Sequence, residues 1–171
     1  MLVAQVIANG ILLGGLYGLM ALGLALVWGV LNIVNLAHGG LIMLGGYAVY
    51  WMFTLAGVDP LLGLIPAMLA LFLFGYAFQR LLVNLIVRSG LLNTLLITFG
   101  LDVVLTYLAQ WLFSADFRTI NPAYAGASLA FGGLTLPVAR LAAFGVALLL
   151  AALTGALLQL TDLGRAIRAT A

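Results

Sequence analysis

The chain contains no cysteine, no lysine and no glutamate, and its single histidine is His38. Without cysteine there is no disulfide, no thiolate metal site and no cysteine nucleophile, and the redox compartment stays undetermined. One histidine with no cysteine or glutamate beside it cannot complete a zinc site, so no metal is expected. Six arginines and four aspartates are its whole charge, 6% of the residues, against roughly 25% in an ordinary soluble domain. They form no basic run, which drops nucleic acid as a partner. No Gly-rich phosphate loop ending in lysine occurs, so no nucleotide site is expected in this chain.

What fills the space is hydrocarbon. Of 171 residues, 66% are hydrophobic, too many for the remaining polar groups to cover as a soluble surface. The excess has to face lipid. A bilayer core about 30 Å thick takes roughly 20 apolar residues per helix. Five spans of that kind are predicted, Val6–Gly29, Leu31–Leu55, Leu61–Leu82, Leu91–Phe113 and Val138–Leu160. The expected fold class is therefore all-α, a polytopic transmembrane bundle read as a single domain over residues 1–171. No Arg or Lys precedes the first apolar run and no small-residue cleavage site follows a short one. That start reads as a retained anchor, not a removed signal peptide.

Arg80, Arg88, Arg165 and Arg168 fall on one side of this arrangement, and Arg118 and Arg140 with Asp59 and Asp116 on the other. The arginine bias places the first side in the cytoplasm. Tyr76, Arg80, Asn84 and Arg88 recur every four residues, which on a helix makes one face, for lipid phosphates or for a cytoplasmic partner. The longest polar connection, about 114–137, lies outside; in it "SLAFGGLTL" reads as a two-residue hairpin around Gly132–Gly133. It serves either as a cap on the helix ends or as an extracytoplasmic docking surface.

Small residues at steps of four, Gly10, Gly14 and Gly18, mark the first span as a packed helix, within a bundle or at a subunit interface; lining a pathway is the lesser alternative. Asn32, Asn35 and His38 follow at steps of three, and on a continuous helix they share an arc of about 120°. Gly39–Gly40 then permits a break or a sharp bend, which at membrane depth is tolerated only where the freed backbone is buried or lines a cavity. Three readings of His38 stay open: a bond to a neighbouring helix, the lining of a translocation path, and acid–base chemistry. Asp102 falls near the centre of the fourth span, where a carboxylate costs on the order of 3 kcal/mol unless partnered. Thr98 and Thr106 flank it one turn away, and a structural and a path-lining role are equally open. No catalytic residue is expected, since Ser89, Ser114 and Ser128 sit in connections away from His38 and no second membrane aspartate accompanies Asp102.

"GLYGLMALGLALVWGVLNIVNLAHGGLIMLGGY" (Gly15–Tyr47) resembles the N-terminal signature of the permeases of branched-chain amino-acid ATP-binding-cassette importers. "SADFRTI" (Ser114–Ile120) is similar to that family's external loop. "LGRAIRATA" (Leu163–Ala171), within a segment of about 161–171, is similar to the start of its cytoplasmic coupling segment. The resemblance implies an all-helical importer permease in a bacterial plasma membrane. It also implies a second permease subunit, two cytoplasmic ATPase subunits that hold ATP and Mg, and an extracytoplasmic amino-acid-binding protein. It makes Asn35, His38, Gly39 and Asp102 substrate-path candidates, and Gly164, Arg165 and Arg168 candidates for ATPase coupling. Two departures stand out. Family permeases run on for a hundred residues or more, so the chain reads as a front portion. "FGLD" puts Asp102 where a neutral residue is expected, which points toward amides or other small amino acids as alternative substrates.

Overall fold

The computed structural model describes residues 2–84 and 90–170. Arg88 lies outside the described residues, as does the side chain of Arg168. Six α-helices and one hairpin are present among them: α1 (Leu2–Leu31), α2 (His38–Ala56), α3 (Pro60–Phe78), α4 (Leu91–Phe113), β1 (Ser128–Phe131), β2 (Leu134–Pro137), α5 (Val138–Leu160) and α6 (Asp162–Thr170). Five of the helices, α1 to α5, are long and apolar enough to cross a membrane. Leu62, Leu69, Leu92, Leu96, Leu149 and Leu153 are each more than half exposed, while many of the buried positions are small, among them Gly63, Ala67, Thr94, Ala109 and Ala147. That inversion is what lipid imposes: with no hydrophobic drive between helices, close backbone contact supplies the packing.

Two compact units divide the chain, residues 33–122 in one and the two flanking segments in the other. In the flanking unit, α1 packs on α5. Leu12 and Ala147 are buried, and a side chain on Gly15 would overlap the ring of Phe144. Gly10, Gly14 and Gly18 instead face open space and are exposed. Within this unit the tight seam of α1 is therefore Gly15 and not the four-step stripe, because α5 meets the adjacent face of the helix.

The hairpin forms as the sequence predicts. Gly132 and Gly133 take φ of 57° and 83°, the paired positive values of a two-residue turn, and set Phe131 opposite Leu134. The Gln5 side chain completes the sheet edge. Its amide donates to the Thr135 carbonyl at 2.7 Å and accepts from the Thr135 N–H at 2.8 Å, as a neighbouring strand would.

At the other end of α5, Thr161 turns the chain into α6. Its hydroxyl accepts from the Gly164 N–H at 3.1 Å and donates to the Leu157 carbonyl at 2.5 Å. Asp162 in the first turn complements the helix dipole.

In the central unit α2 and α3 pack side by side, with Gly63 against Val49 at 3.6 Å and Gly45 against Leu71 at 3.0 Å for an added Cβ. Gly57, at φ 63°, stops α2; Asp59 then accepts from the Leu61 N–H at 2.9 Å, and Pro60 opens α3. Past Phe78 the coil widens into a π turn, Gln79–Val83. This corrects the expected four-residue face. Arg80 still reaches the Tyr76 hydroxyl at 3.4 Å, but the Asn84 side-chain Oδ1 accepts from the Gln79 side chain, five residues back, at 3.3 Å, in keeping with the wider i to i+5 repeat.

Candidate functional site

The second span departs from expectation at its start. The helix begins at His38, not at Leu31, and residues 32–37 are not helical. Asn32, Asn35 and His38 thus share no helical arc, and each does a separate job. Asn32 takes φ 51°, a left-handed conformation that asparagine tolerates, and its N–H bonds the Trp28 carbonyl at 2.8 Å at the end of α1. Asn35 makes a turn on itself, its side-chain oxygen accepting from the Ala37 N–H at 3.1 Å and its carbonyl from the His38 N–H at 3.2 Å. His38 opens α2, half-buried. Gly39–Gly40 lies inside the first turn of α2, and the break expected beside it falls just before, at residues 32–37.

α4 supplies what the interrupted backbone lacks. Thr98, only 3% exposed, accepts from the Leu36 N–H at 3.2 Å, and its hydroxyl hydrogen has the Val34 carbonyl at 3.4 Å and the Leu95 carbonyl at 3.2 Å within reach. One turn further on, Asp102 Oδ1 accepts from the Gly40 N–H at 2.9 Å. Gly40 is the third residue of α2, so Asp102 is an N-cap lent by another helix. Only glycine fits there: a Cβ on Gly40 would lie 2.8 Å from that same oxygen and 3.3 Å from Leu105.

Asp102 is the twelfth residue of α4, a helix of 23 residues and about 35 Å. The break and the start of α2 therefore lie level with the middle of a membrane span. Irregular backbone at that depth is tolerated only where it is buried in protein or lines a cavity. Ala37 is fully buried and Ile33 nearly so, while Asp102 and Asn35 are half-buried and Gly39 is exposed. The candidates Asn35, His38, Gly39 and Asp102 are thus brought into one local cluster. The structural role weighed for Asp102 is present as a hydrogen bond.

The sequence reading named Thr98 as a neighbour of Asp102 but not as a site residue. The signal was its one-turn spacing; what the spacing could not show was the unpaired backbone that both residues serve. It also passed over Arg118. That guanidinium donates to the Tyr50 hydroxyl at 3.3 Å, to the Phe113 carbonyl and to the Ser114 hydroxyl, and lies 5.4 Å from the ring centres of Tyr50 and Trp51. Three aromatics at positions 47, 50 and 51, on one side of α2, were the available sign.

Of the coupling candidates, Gly164 lies so close to the carbonyls of Leu157 and Leu158 that no side chain fits. Arg165 pairs with Asp162 on an exposed surface, and Arg168 belongs to α6 by its backbone.

Five lipid-exposed helices, one of them started at mid-depth on a borrowed carboxylate, define a multi-pass helical membrane protein. The chain belongs to the family described as "Branched-chain amino acid transport system / permease component", whose profile matches residues 6–171. It is 29% identical over 109 residues to the high-affinity branched-chain amino acid transport system permease protein BraD of Pseudomonas aeruginosa. It is 28% identical over 109 residues to the LivH permease protein of Salmonella typhimurium, and 27% to that of Escherichia coli. These matches cover 59% of this chain but only 35–36% of each relative's length. No solved structure matches the chain.

Proposed function

We propose that the chain is a membrane-spanning permease subunit of an ATP-binding-cassette importer, and that it translocates branched-chain amino acids across a bacterial inner membrane. The observation that carries this is the helix break at mid-depth. A chain that spent six residues of non-helical backbone, with a threonine and a carboxyl group to serve it, for mere anchoring would gain nothing, whereas substrate sites in transporters are built from such interrupted helices. Family membership and the relatives' names support the same reading.

In this reading the subunit performs no chemistry. A second permease subunit completes the path, an extracytoplasmic binding protein delivers the amino acid, and two cytoplasmic ATPases bind ATP and Mg and drive the change of access. By the arginine bias of the sequence, Arg80 and Arg165 each belong to cytoplasmic segments. The segment α6, with Gly164, Arg165 and Arg168 in its sequence, is the one that meets an ATPase. A second reading, transport of another small solute such as an amide, is favoured by Asp102 alone, a charge at mid-depth that an aliphatic side chain does not call for.

The test is uptake of labelled leucine, isoleucine and valine in the host, with and without the gene, against labelled asparagine and alanine. Loss confined to the first three supports the proposal. Loss confined to an amide or another solute selects the second reading, and unchanged uptake of all five overturns both.

A further inference from the structure

Beyond Phe113 the chain turns at Ser114, with φ 64°, and the following residues lie against the middle of α2. Between them is an open cleft of about 590 Å³, inside the range of about 300–1,000 Å³ usual for small-molecule sites. Its α2 wall is Met43, Gly46, Tyr47 and Tyr50, which fall at i, i+3, i+4 and i+7 and so make one helix face. Arg118, Asp116 and the apolar Phe117 and Ile120 close it from the other side. The cleft holds one cation, one anion and an apolar and aromatic remainder within one small volume.

Arg118 is held on several sides. Its guanidinium lies 5.4 Å from the ring centres of Tyr50 and Trp51, and three protein oxygens take three of its N–H groups. A guanidinium has five such donors, so the Nε–H and one hydrogen of the Tyr50-bound nitrogen remain, on different edges, and either can donate to an anion from a side chain with little rotamer freedom left to lose. Asp116 is oriented in turn by the Ser114 hydroxyl, which donates to it at 2.7 Å. A carboxylate offers about four acceptor positions, enough for an ammonium as well. Tyr47 is braced by stacking on Phe113, ring centres 4.8 Å apart.

We propose that this cleft is a recognition site for a small zwitterion with an apolar side chain. Arg118 takes its carboxylate, Asp116 its ammonium group, and the face of Met43 and Tyr47 its hydrocarbon. That the zwitterion is an amino acid rests on the transport reading above. The charged end of the site is distinct from the Asp102 cluster: ten residues of α2, about 15 Å, separate Gly40 from Tyr50, while the apolar end at Met43 lies one turn from Gly40. On the extracytoplasmic side proposed for it, it is an entry station.

The experiment uses the full chain in lipid nanodiscs with Trp28→Phe and Trp111→Phe, so that Trp51 is the only emitter. The Trp51 indole N–H is buried without an acceptor among the described residues, and its ring lies against Arg118, so its emission follows any movement of that guanidinium. Leucine at millimolar concentration is expected to change the emission saturably, and leucinamide and isoamylamine, which lack the carboxylate, are not. Arg118→Gln is expected to weaken the leucine response at least about tenfold. Gly46→Leu, at a position where an added Cβ meets nothing within 4 Å, puts bulk into the cleft and should abolish it. Circular dichroism checks that each variant is folded, and the ligand series in the parent stands whether or not Arg118→Gln folds. An equal response to leucinamide, a full response in Gly46→Leu, or no response to leucine in the folded parent overturns the site. So does a response only to an extracytoplasmic protein. Because the assay needs neither ATPase nor transport, absent binding with intact leucine uptake strikes the cleft alone, and binding without uptake strikes the transport reading.

Discussion

Asp102 and Gly40 form a pair in which each side chain dictates the other: the carboxylate needs the N–H, and the N–H is reachable only because glycine carries no Cβ. Asp102→Leu removes the cap and should cost about 1 kcal/mol, within the range of about 0.5–2 for lost N-caps, read as a lower unfolding midpoint in detergent. Asp102→Asn keeps an acceptor oxygen and should unfold within a few tenths of a kcal/mol of the parent. If uptake nevertheless falls in Asp102→Asn, the charge and not the cap serves the substrate. Gly40→Ala should destabilise by about 1–3 kcal/mol, since the methyl meets Asp102 and Leu105 together. That Asp102 was exceptional could be read from its place in an apolar run. That its partner is a backbone N–H 62 residues away could not, because no side chain advertises it.

Among the elements, α1 separates two uses of glycine. Gly15→Ala pushes a methyl into the Phe144 ring and should lower the unfolding midpoint of the monomer. Gly14→Ala meets nothing within 4 Å and should raise it slightly, since alanine favours helix by about 0.8–1 kcal/mol over glycine. Should Gly14→Ala instead leave the monomer sound but abolish association of permease subunits on native gels, the stripe of Gly10, Gly14 and Gly18 is an intersubunit seam. A similar contrast applies to α6. Gly164→Ala cannot keep α6 in its place, because the added carbon runs into two carbonyls of α5. Arg165→Ala loses only an exposed ion pair, worth at most about 1 kcal/mol. Arg165→Ala should therefore leave helicity and midpoint unchanged, and any loss of ATPase co-purification in it reports on the contact and not on folding.

At the scale of the whole molecule, composition and period decided most of what could be decided early. Lipid leaves the backbone only helices, and a helix must be about 20 residues long to cross, so long apolar runs translate directly into spans. The hairpin was equally local, since two successive glycines at positive φ admit few alternatives. The misplaced start of α2 shows where this fails. Hydropathy and spacing carry Leu31–Leu55 through as one span; its polar start and Gly39–Gly40 signalled a break or bend, but where the helix restarts was settled by Thr98 and Asp102 beside it. The sequence by itself determined the membrane setting, the number of spans and the presence of costly polar groups at depth, because these follow from each residue's own transfer energy and from short-range geometry. Tertiary structure alone decided which polar group answers which unpaired backbone atom, which glycine meets a neighbour, and that Arg118 lies against Tyr50 and Trp51 over an open cleft. Those depend on contacts between residues far apart in the chain, and no local period encodes them.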